Sequence, residues 1–341
     1  MKLLYESAVR DESGLVLLRS RFKAVGRRKG FREVMLEKIE LVCNEIVSNQ
    51  IKHARGSGMI QIWDNESYQQ PTLDIFALDY GPGIEDLEYA IQDGTTTTGT
   101  MGRGLGAIQR LSTESAFYTR TVDELDRECW HGTAVWSRFV EGKQKQSSGF
   151  QYGIYSRALR DDFFNGDGVQ IRNDNTRLRW IHMDGLGHGK EAAEAICPAR
   201  NVLDADEDNL ESVMQHLGRV FQSGRGAVAV VGELDASEER LSITGVGDMS
   251  AKLICNGELN TMALAAGVLG HSHRSVNIEH IHFPRQAVFI SASDGIRKWS
   301  LNTLPQLWRH HPQMIALVMG QILGRTNDDR SILVIRKSPT N

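Results

Sequence analysis

The sequence predicts an α+β protein built as two domains, and three observations carry that reading. The 341 residues are 40% hydrophobic and 24% charged, a globular composition with enough chain for two cores. Helix-type and strand-type hydrophobic periods occur in both halves of the chain. Between the halves lies EGKQKQSSG at 141–149, polar and aperiodic, which reads as a linker. The expected organisation is a domain over 1–140, a linker over 141–149 and a second domain over 150–341.

In the first half, helical patterns run to about residue 54. Short strand-like runs follow at MIQIWD (59–64) and TLDIFALD (72–79), rich in the β-branched and aromatic residues that suit a pleated surface. A Gly/Thr-rich loop, a helix near 104–114 and a last strand around 132–140 complete the half. In the second half, RLRWIHM, AVAVVGEL, RLSITGV, AKLIC, QAVFISAS and SILVIR read as strands. Helical segments interrupt them near 189–199, 206–222 and 303–323. No internal repeat is present.

The formal net charge of −4 leaves no basic footprint for nucleic acid. Cys43, Cys129, Cys197 and Cys255 form no C-x-x-C pair and read as reduced residues. The first residues lack the apolar core of a signal peptide, and no 18-residue apolar run offers a membrane span. The expectation is a soluble, bacterial-type cytoplasmic protein with no nucleic-acid or membrane partner.

Three motifs stand out before the linker. In NEIVSNQIKHA (44–54), Glu45, Asn49 and His53 recur every four residues. At about 100° per residue they drift only about 40° per step, so they form a polar row along a helix. Beside it runs an apolar face of Leu36, Ile39, Val42, Cys43 and Ile46. In LDYGPGI (78–84) an aspartate ends a strand and two glycines flank a proline, which alone is good turn chemistry. In DGTTTTGTMGRGLGAIQRL (93–111) a flexible loop ends in G-x-G-x-G before a helix, whose free N–H groups suit phosphate. The spacing is not that of a Rossmann fingerprint.

In this order the three resemble the N, G1 and G2 boxes of the GHKL ATPase and kinase superfamily, and the glycine loop most resembles RsbT-type switch kinases. The resemblance covers roughly residues 1–140 and implies a Bergerat-type ATP-binding α/β sandwich. Carried over, Asn49 would hold the Mg2+ of Mg-ATP through its side-chain oxygen. Glu45 would act as general base one helical turn away. Asp79 would accept a hydrogen bond from the adenine amino group, with Gly81 and Gly83 letting the backbone approach the base. Gly102, Gly104 and Gly106 would wrap the phosphates, and His53 would be structural.

After the linker, aspartates stand at strand ends. Asp167 in FFNGDGVQI and Asp184 in HMDGLGHG flank the turn signal NDNT at 173–176. A hairpin folded about that turn places the two carboxylates opposite each other. Asp294 follows an apolar strand in FISASDGI, and Asp328 and Asp329 precede the last strand in TNDDRSILVIR. Any one Asp-Gly pair is an ordinary turn. Gathered carboxylates repel unless cations neutralise them, and all-oxygen ligands suit Mg2+ or Mn2+. Two such ions support in-line attack of water on a phosphoryl group.

The ordered set GD, DGLGHG, SDG, DDRS resembles the metal-dependent protein phosphatases, in their bacterial SpoIIE and RsbX branch. That resemblance covers about 150–337 and implies a PPM-type α-β-β-α sandwich. It implies that Asp184 bridges two metals, that Gly185 offers its carbonyl and that Asp167 assists one metal. Asp294 and Asp328 would complete the shell of the second ion, with Asp329 the runner-up for the last place. Gly187 and Gly189 would turn the chain from strand into helix, His188 would brace that turn, and Asp248 would be a loop residue. Gly168 stands where a bulkier residue is common, which would loosen the local strand.

Together the resemblances imply a bifunctional regulator of bacterial partner switching. One domain would phosphorylate a STAS-domain protein with Mg-ATP, and the other would dephosphorylate a phospho-Ser/Thr STAS-domain antagonist with Mn2+ or Mg2+. The implied partners are a STAS-domain anti-sigma-factor antagonist or stressosome-type protein, and a further switch protein. The alternative is a phosphatase whose first domain is a nucleotide-gated binding module without kinase activity.

Overall fold

The computed structural model describes the chain except residues 11–12, 66–69, 93–103, 123–128, 143–148, 175, 205–208, 223, 272–275 and 340–341. The fold is α+β. The chain divides into two compact units, Met1–Lys145 and Gln146–Asn341.

The first unit is a five-stranded antiparallel sheet, in the order β1 (Lys2–Val9), β2 (Gly58–Asp64), β3 (Thr72–Asp79), β5 (Gly132–Val140), β4 (Glu114–Arg120). Alternate residues of the strands, Ile60 and Ile62, Ile75 and Ala77, Val135, pack against helices α1 (Ser13–Lys29), α2 (Glu33–Ala54) and α4 (Gly104–Leu111). A short helix, α3 (Leu87–Ile91), precedes the glycine loop and is N-capped by Asp86. The apolar row expected on α2 is buried from Leu36 to Ile46.

Two elements differ from expectation. KLLYESAV is a strand rather than the start of a helix, and it pairs antiparallel with β2. Leu3 faces Trp63 and Tyr5 faces Ile62, so Leu4 is the extra residue of a bulge. The adjacent Leu3 and Leu4 hide the period of two that would have marked the strand. The helix expected to reach residue 114 stops at Leu111, because the chain from Glu114 pairs with β5 instead.

β3 and β5 also carry a buried ion pair. The Arg138 guanidinium donates to Asp74 through Nε at 2.8 Å and Nη2 at 2.7 Å, and the Trp136 indole N–H donates to the same carboxylate at 3.0 Å. Both charged side chains are essentially inaccessible, at 1% and 0% exposure. Arg138→Ala strands the Asp74 charge, so a loss of about 3–5 kcal/mol is expected in urea unfolding. The double variant Asp74→Leu/Arg138→Met should recover only part of it, because it removes the stranded charge but leaves the Trp136 indole N–H without its acceptor.

The second unit stacks two five-stranded antiparallel sheets. One runs β13 (Glu279–His282), β10 (Arg240–Val246), β9 (Ala227–Asp235), β8 (Arg177–Gly185), β7 (Asp167–Asn173). The other runs β12 (Glu258–Thr261), β11 (Ser250–Cys255), β14 (Val288–Ala292), β15 (Arg330–Lys337), β6 (Phe150–Arg157). Between the sheets, Trp180 of β8 meets Phe289 of β14 at 5.1 Å between ring centres. Helices α5 (Gly189–Ile196) and α6 (Leu210–Phe221) cover the first sheet through Ile196, Val213 and Leu217. Helix α7 (Pro312–Leu323) packs on β6, where Gly320 lets the helix lie against the Tyr155 ring.

The helix expected over 303–323 begins only at Pro312. Proline suits the first helical position, and its ring holds the preceding residue extended, so Leu307–Arg309 form a separate 3-10 turn. The helix expected over 189–199 likewise ends at Ile196, and Cys197–Asp204 continue as 3-10 turns around Pro198. Of the helix expected over 206–222, α6 starts at Leu210, where Asn209 caps it by accepting from Ser212 N–H at 2.9 Å. The β7–β8 hairpin has the register expected from the NDNT turn: Asp167 pairs with Asp184, and Asn173 with Leu178.

Candidate functional sites

In the first unit, β3 delivers Asp79 at its C-terminal end. Its side-chain Oδ1 accepts from the backbone N–H of Gly81 at 2.8 Å and of Thr133 at 3.1 Å, and Oδ2 bonds nothing among the described residues. Burial pushes this carboxyl up, against those two N–H bonds and the charges of His53 and His131. The Trp130 indole N–H holds the Asp79 carbonyl at 3.0 Å, fixing the strand end from the other side. Gly83 sits at φ +79, and a Cβ there would lie 2.3 Å from the Arg120 carbonyl oxygen. Only glycine fits that turn.

Helix α2 brings Glu45 and Asn49 to the start of α4. A Cβ on Gly104 would fall 3.3 Å from Asn49 Nδ2 and 3.8 Å from Glu45 Oε2. Neither side chain has a hydrogen bond or ion pair among the described residues. Helix α4 runs from Gly104 and includes buried Gly106. Gly106 therefore lies in the helix rather than in the loop. Gly102 lies outside the described residues. His53 is exposed near the end of α2.

In the second unit, the hairpin sets Asp167 and Asp184 side by side on one face of the sheet. Ser331 Oγ donates to Asp167 Oδ2 at 2.6 Å, whereas Oδ1 is buried without a hydrogen-bond partner. Burial pushes the Asp167 carboxyl up; the hydroxyls of Ser331 and Ser293 oppose it, and the charges of Asp329 and Asp294 add to it. Asp184 is pushed up by burial and then by Asp167, Asp294, Asp328 and Asp248. Asp294 is raised by burial, then by Asp328 and Asp248, against Arg325 and the Gly295 N–H. These carboxylates thus share one field and resist joint ionisation.

Among the described residues no three His, Cys, Asp or Glu side chains stand close enough to form a ready-made ion shell. Mg2+ and Mn2+ keep several of their waters and bind one or two carboxylates directly, so a looser ring suffices. An orphaned buried Oδ1 on Asp167, among carboxylates that oppose each other's charge, fits a hydrated divalent cation.

The paired aspartates before β15 play different parts. Asp329 is 3% exposed, and its oxygens accept from Leu159 N–H at 2.6 Å and Gly166 N–H at 2.8 Å. Its carboxylate is spent on backbone. Asp328, half-buried, accepts among the described residues only from Asp329 N–H at 3.0 Å and acts on Asp184 and Asp294. Asp248 lies in the loop between β10 and β11, as expected of a loop residue, yet its charge also reaches Asp184 and Asp294.

Gly185 ends β8, its N–H bonded to the Gly166 carbonyl at 3.0 Å. Gly187 at φ +98 and Gly189 at φ +72 make the turn into α5. His188 does not brace it: the side chain is exposed and caps nothing. Gly168 leaves no looseness either, since Ile196 fills the space 2.9 Å from where its Cβ would be.

Sequence patterns missed the residues behind the carboxylates. His182 of β8 is fully buried between the sheets, with Nδ1 2.9 Å from Ser291 Oγ and Nε2 2.7 Å from Ser331 Oγ. Burial alone pushes its pKa down to about 3. The one available signal is a histidine in a strand read as apolar, two residues before Asp184.

The histidine kinase-like ATPase domain family matches residues 10–129. The serine/threonine-protein kinase RsbT of Bacillus subtilis (strain 168) is 33% identical over 111 residues, 32% of this chain and 83% of that protein. A solved structure from work on the bacterial stressosome, as a modular system adapted to control secondary messenger signalling, is 26% identical. It covers 55% of this chain and 99% of its own, with a TM-score of 0.51. RsbX in complex with magnesium is 18% identical over 57% of this chain and 99% of its own, with a TM-score of 0.50, a likeness of fold alone. Each structural match covers more of the chain than the first unit contains, so each includes part of the second unit. No helix among the described residues is long and apolar enough to cross a membrane.

Proposed function

Since the chain belongs through its first unit to the RsbT family of serine/threonine kinases, and its second unit has the PPM-type phosphatase fold of RsbX, we propose that it adds and removes phosphate on STAS-domain proteins of a partner-switching pathway. The first unit transfers the γ-phosphoryl of Mg-ATP to a Ser or Thr hydroxyl. Asp79 presents Oδ2 to the adenine amino group, because Oδ1 is already held by two N–H groups. Gly104 and Gly106 of α4, with Gly102 just before them in the sequence, bind the phosphates. Asn49 holds Mg2+, and Glu45 takes the proton of the attacking hydroxyl.

The second unit hydrolyses a phospho-Ser or phospho-Thr ester. Asp167, Asp184, the Gly185 carbonyl, Asp294 and Asp328 would hold two Mn2+ or Mg2+ ions. When bound, the ions polarise the phosphoryl oxygens and lower the pKa of the attacking water. The protein's own part is to present Asp167 and Asp184 side by side at the end of the hairpin, within reach of the charges of Asp294 and Asp328. The observation that carries this reading is the orphaned, buried Oδ1 of Asp167 beside three further carboxylates that act on Asp184. The protein works in the cytoplasm, where its STAS-domain partner and ATP are found.

The test is a sequential assay with a STAS-domain protein as substrate. Incubation with γ-labelled ATP and Mg2+ is expected to label it; removal of ATP and addition of Mn2+ is expected to release labelled phosphate. ATP binding without label transfer excludes the kinase reading and leaves a nucleotide-gated module. A phospho-STAS protein that stays labelled through the second step excludes the phosphatase reading for that substrate.

A further inference from the structure

A relay of hydrogen bonds runs from the middle of the second unit's sandwich to the carboxylate with the orphaned oxygen. Ser291 Oγ lies 2.9 Å from His182 Nδ1, His182 Nε2 lies 2.7 Å from Ser331 Oγ, and Ser331 Oγ lies 2.6 Å from Asp167 Oδ2. The three partners of the relay come from different strands: His182 from β8, Ser291 from β14 and Ser331 from β15. The relay therefore exists only when the two sheets are packed.

Its direction follows from counting protons. A hydroxyl has one, and an ionised Asp167 can only accept, so Ser331 donates to Oδ2. Ser331 Oγ then has only lone pairs left for the ring, and His182 Nε2 must carry the hydrogen. The ring is buried between sheets with no carboxylate bonded to it, a setting that favours the neutral form. Nδ1 is then an acceptor, and Ser291 donates to it. Every group in the chain has one role.

We propose that His182 and Ser331 are positioning residues for the second unit's metal centre: the Nε2–H tautomer of His182 aims the Ser331 hydroxyl at Asp167 Oδ2, which turns the unpartnered Oδ1 toward the ion. This rests on the phosphatase reading of that site. Ser331 fixes which carboxylate oxygen is spoken for, the Ser293 hydroxyl adds to its hold on Asp167, and His182 fixes which way Ser331 points. The backbone bond from Ser331 N–H to Ser293 Oγ at 3.0 Å anchors the hydroxyl's own strand. Partners of this kind beyond the ligands typically set metal affinity by 10–100-fold.

Two measurements on the full chain test it. The first is Mn2+ alone titrated into wild type, Ser331→Ala and Ser331→Thr, with free Mn2+ followed by electron paramagnetic resonance. Ser331→Ala is expected to weaken Mn2+ binding roughly 10–100-fold, and Ser331→Thr, which keeps the hydroxyl, to stay within a few-fold of wild type. The second is the ring 15N spectrum of the assigned His182 in wild type with Mg2+, expected to show the Nε2–H tautomer. A Ser331→Ala variant that binds Mn2+ as wild type does, or a ring carrying its hydrogen on Nδ1, overturns the positioning role while leaving the metal centre standing. Wild type that takes up no Mn2+ overturns the metal centre, and the positioning role with it. The spectrum needs no variant, so an unfolded Ser331→Ala would not shield the idea.

Discussion

Glu45→Ala is expected to lower phosphoryl transfer to the STAS-domain protein by about 10²- to 10⁴-fold while ATP affinity stays within a few-fold of wild type. The expectation comes from where Glu45 stands and from what it does not touch. It is one helical turn from Asn49, and both side chains face the first residue of α4. It has no ion pair or hydrogen bond among the described residues, so its removal breaks no structural contact there. The apolar side of α2 that does hold the helix, from Leu36 through Val47, is untouched. Glu45→Gln should behave like Glu45→Ala, because it keeps the shape and loses the base. Asn49→Ala should differ in kind, losing Mg-ATP itself. Transfer at wild-type rate by both Glu45 variants would assign the proton to another group. Loss of ATP binding by either would make Glu45 a structural part of the pocket.

How much of this was legible beforehand depends on how local each signal is. The Asp167–Asp184 pairing was legible because one turn, NDNT, dictates the register of every residue in its hairpin, and a strand's side chains alternate strictly. The α2 row was legible for the same reason, with a period of 3.6. The difference in setting between Asp328 and Asp329 was not local. It turns on Asp329 reaching back to the N–H groups of Leu159 and Gly166, more than 160 residues earlier. His182, Ser291 and Ser331 were invisible for that reason too: each reads as an unremarkable strand residue until two sheets close on it. β1 was lost to a bulge, which puts two neighbouring leucines on opposite terms with the period. The α7 boundary could have been read from Pro312, had the rule for the residue before proline been weighed against the apolar run after it.

Asp184→Asn is expected to cut metal-dependent phosphatase activity by at least about 10²-fold, more than the loss of a partner one step further out costs. The same change should raise the melting temperature of the metal-free second unit. The two effects have one cause. Asp184 is pushed up by burial and by the charges of Asp167, Asp294, Asp328 and Asp248. A carboxyl whose folded pKa is raised contributes stability that is present below its unfolded pKa and is lost as pH climbs through the folded value. Metal-free protein should therefore melt higher near pH 5 than near pH 8, and Asp184→Asn should flatten that slope by removing one of the mutually repelling charges. A single stabilising substitution commonly gains about 0.5–2 kcal/mol, which is a rise of a few degrees for a unit of this size. Mn2+ should raise the wild-type melting temperature in proportion to the logarithm of its concentration and leave the variant unmoved, because an ion that binds only the folded form stabilises it by mass action. Scanning calorimetry at two pH values, with and without Mn2+, separates the terms. An Asp184→Asn protein that melts lower without metal would mean that the carboxylate supports the fold, and the acidic ring would then be a structural cluster rather than a place held open for cations.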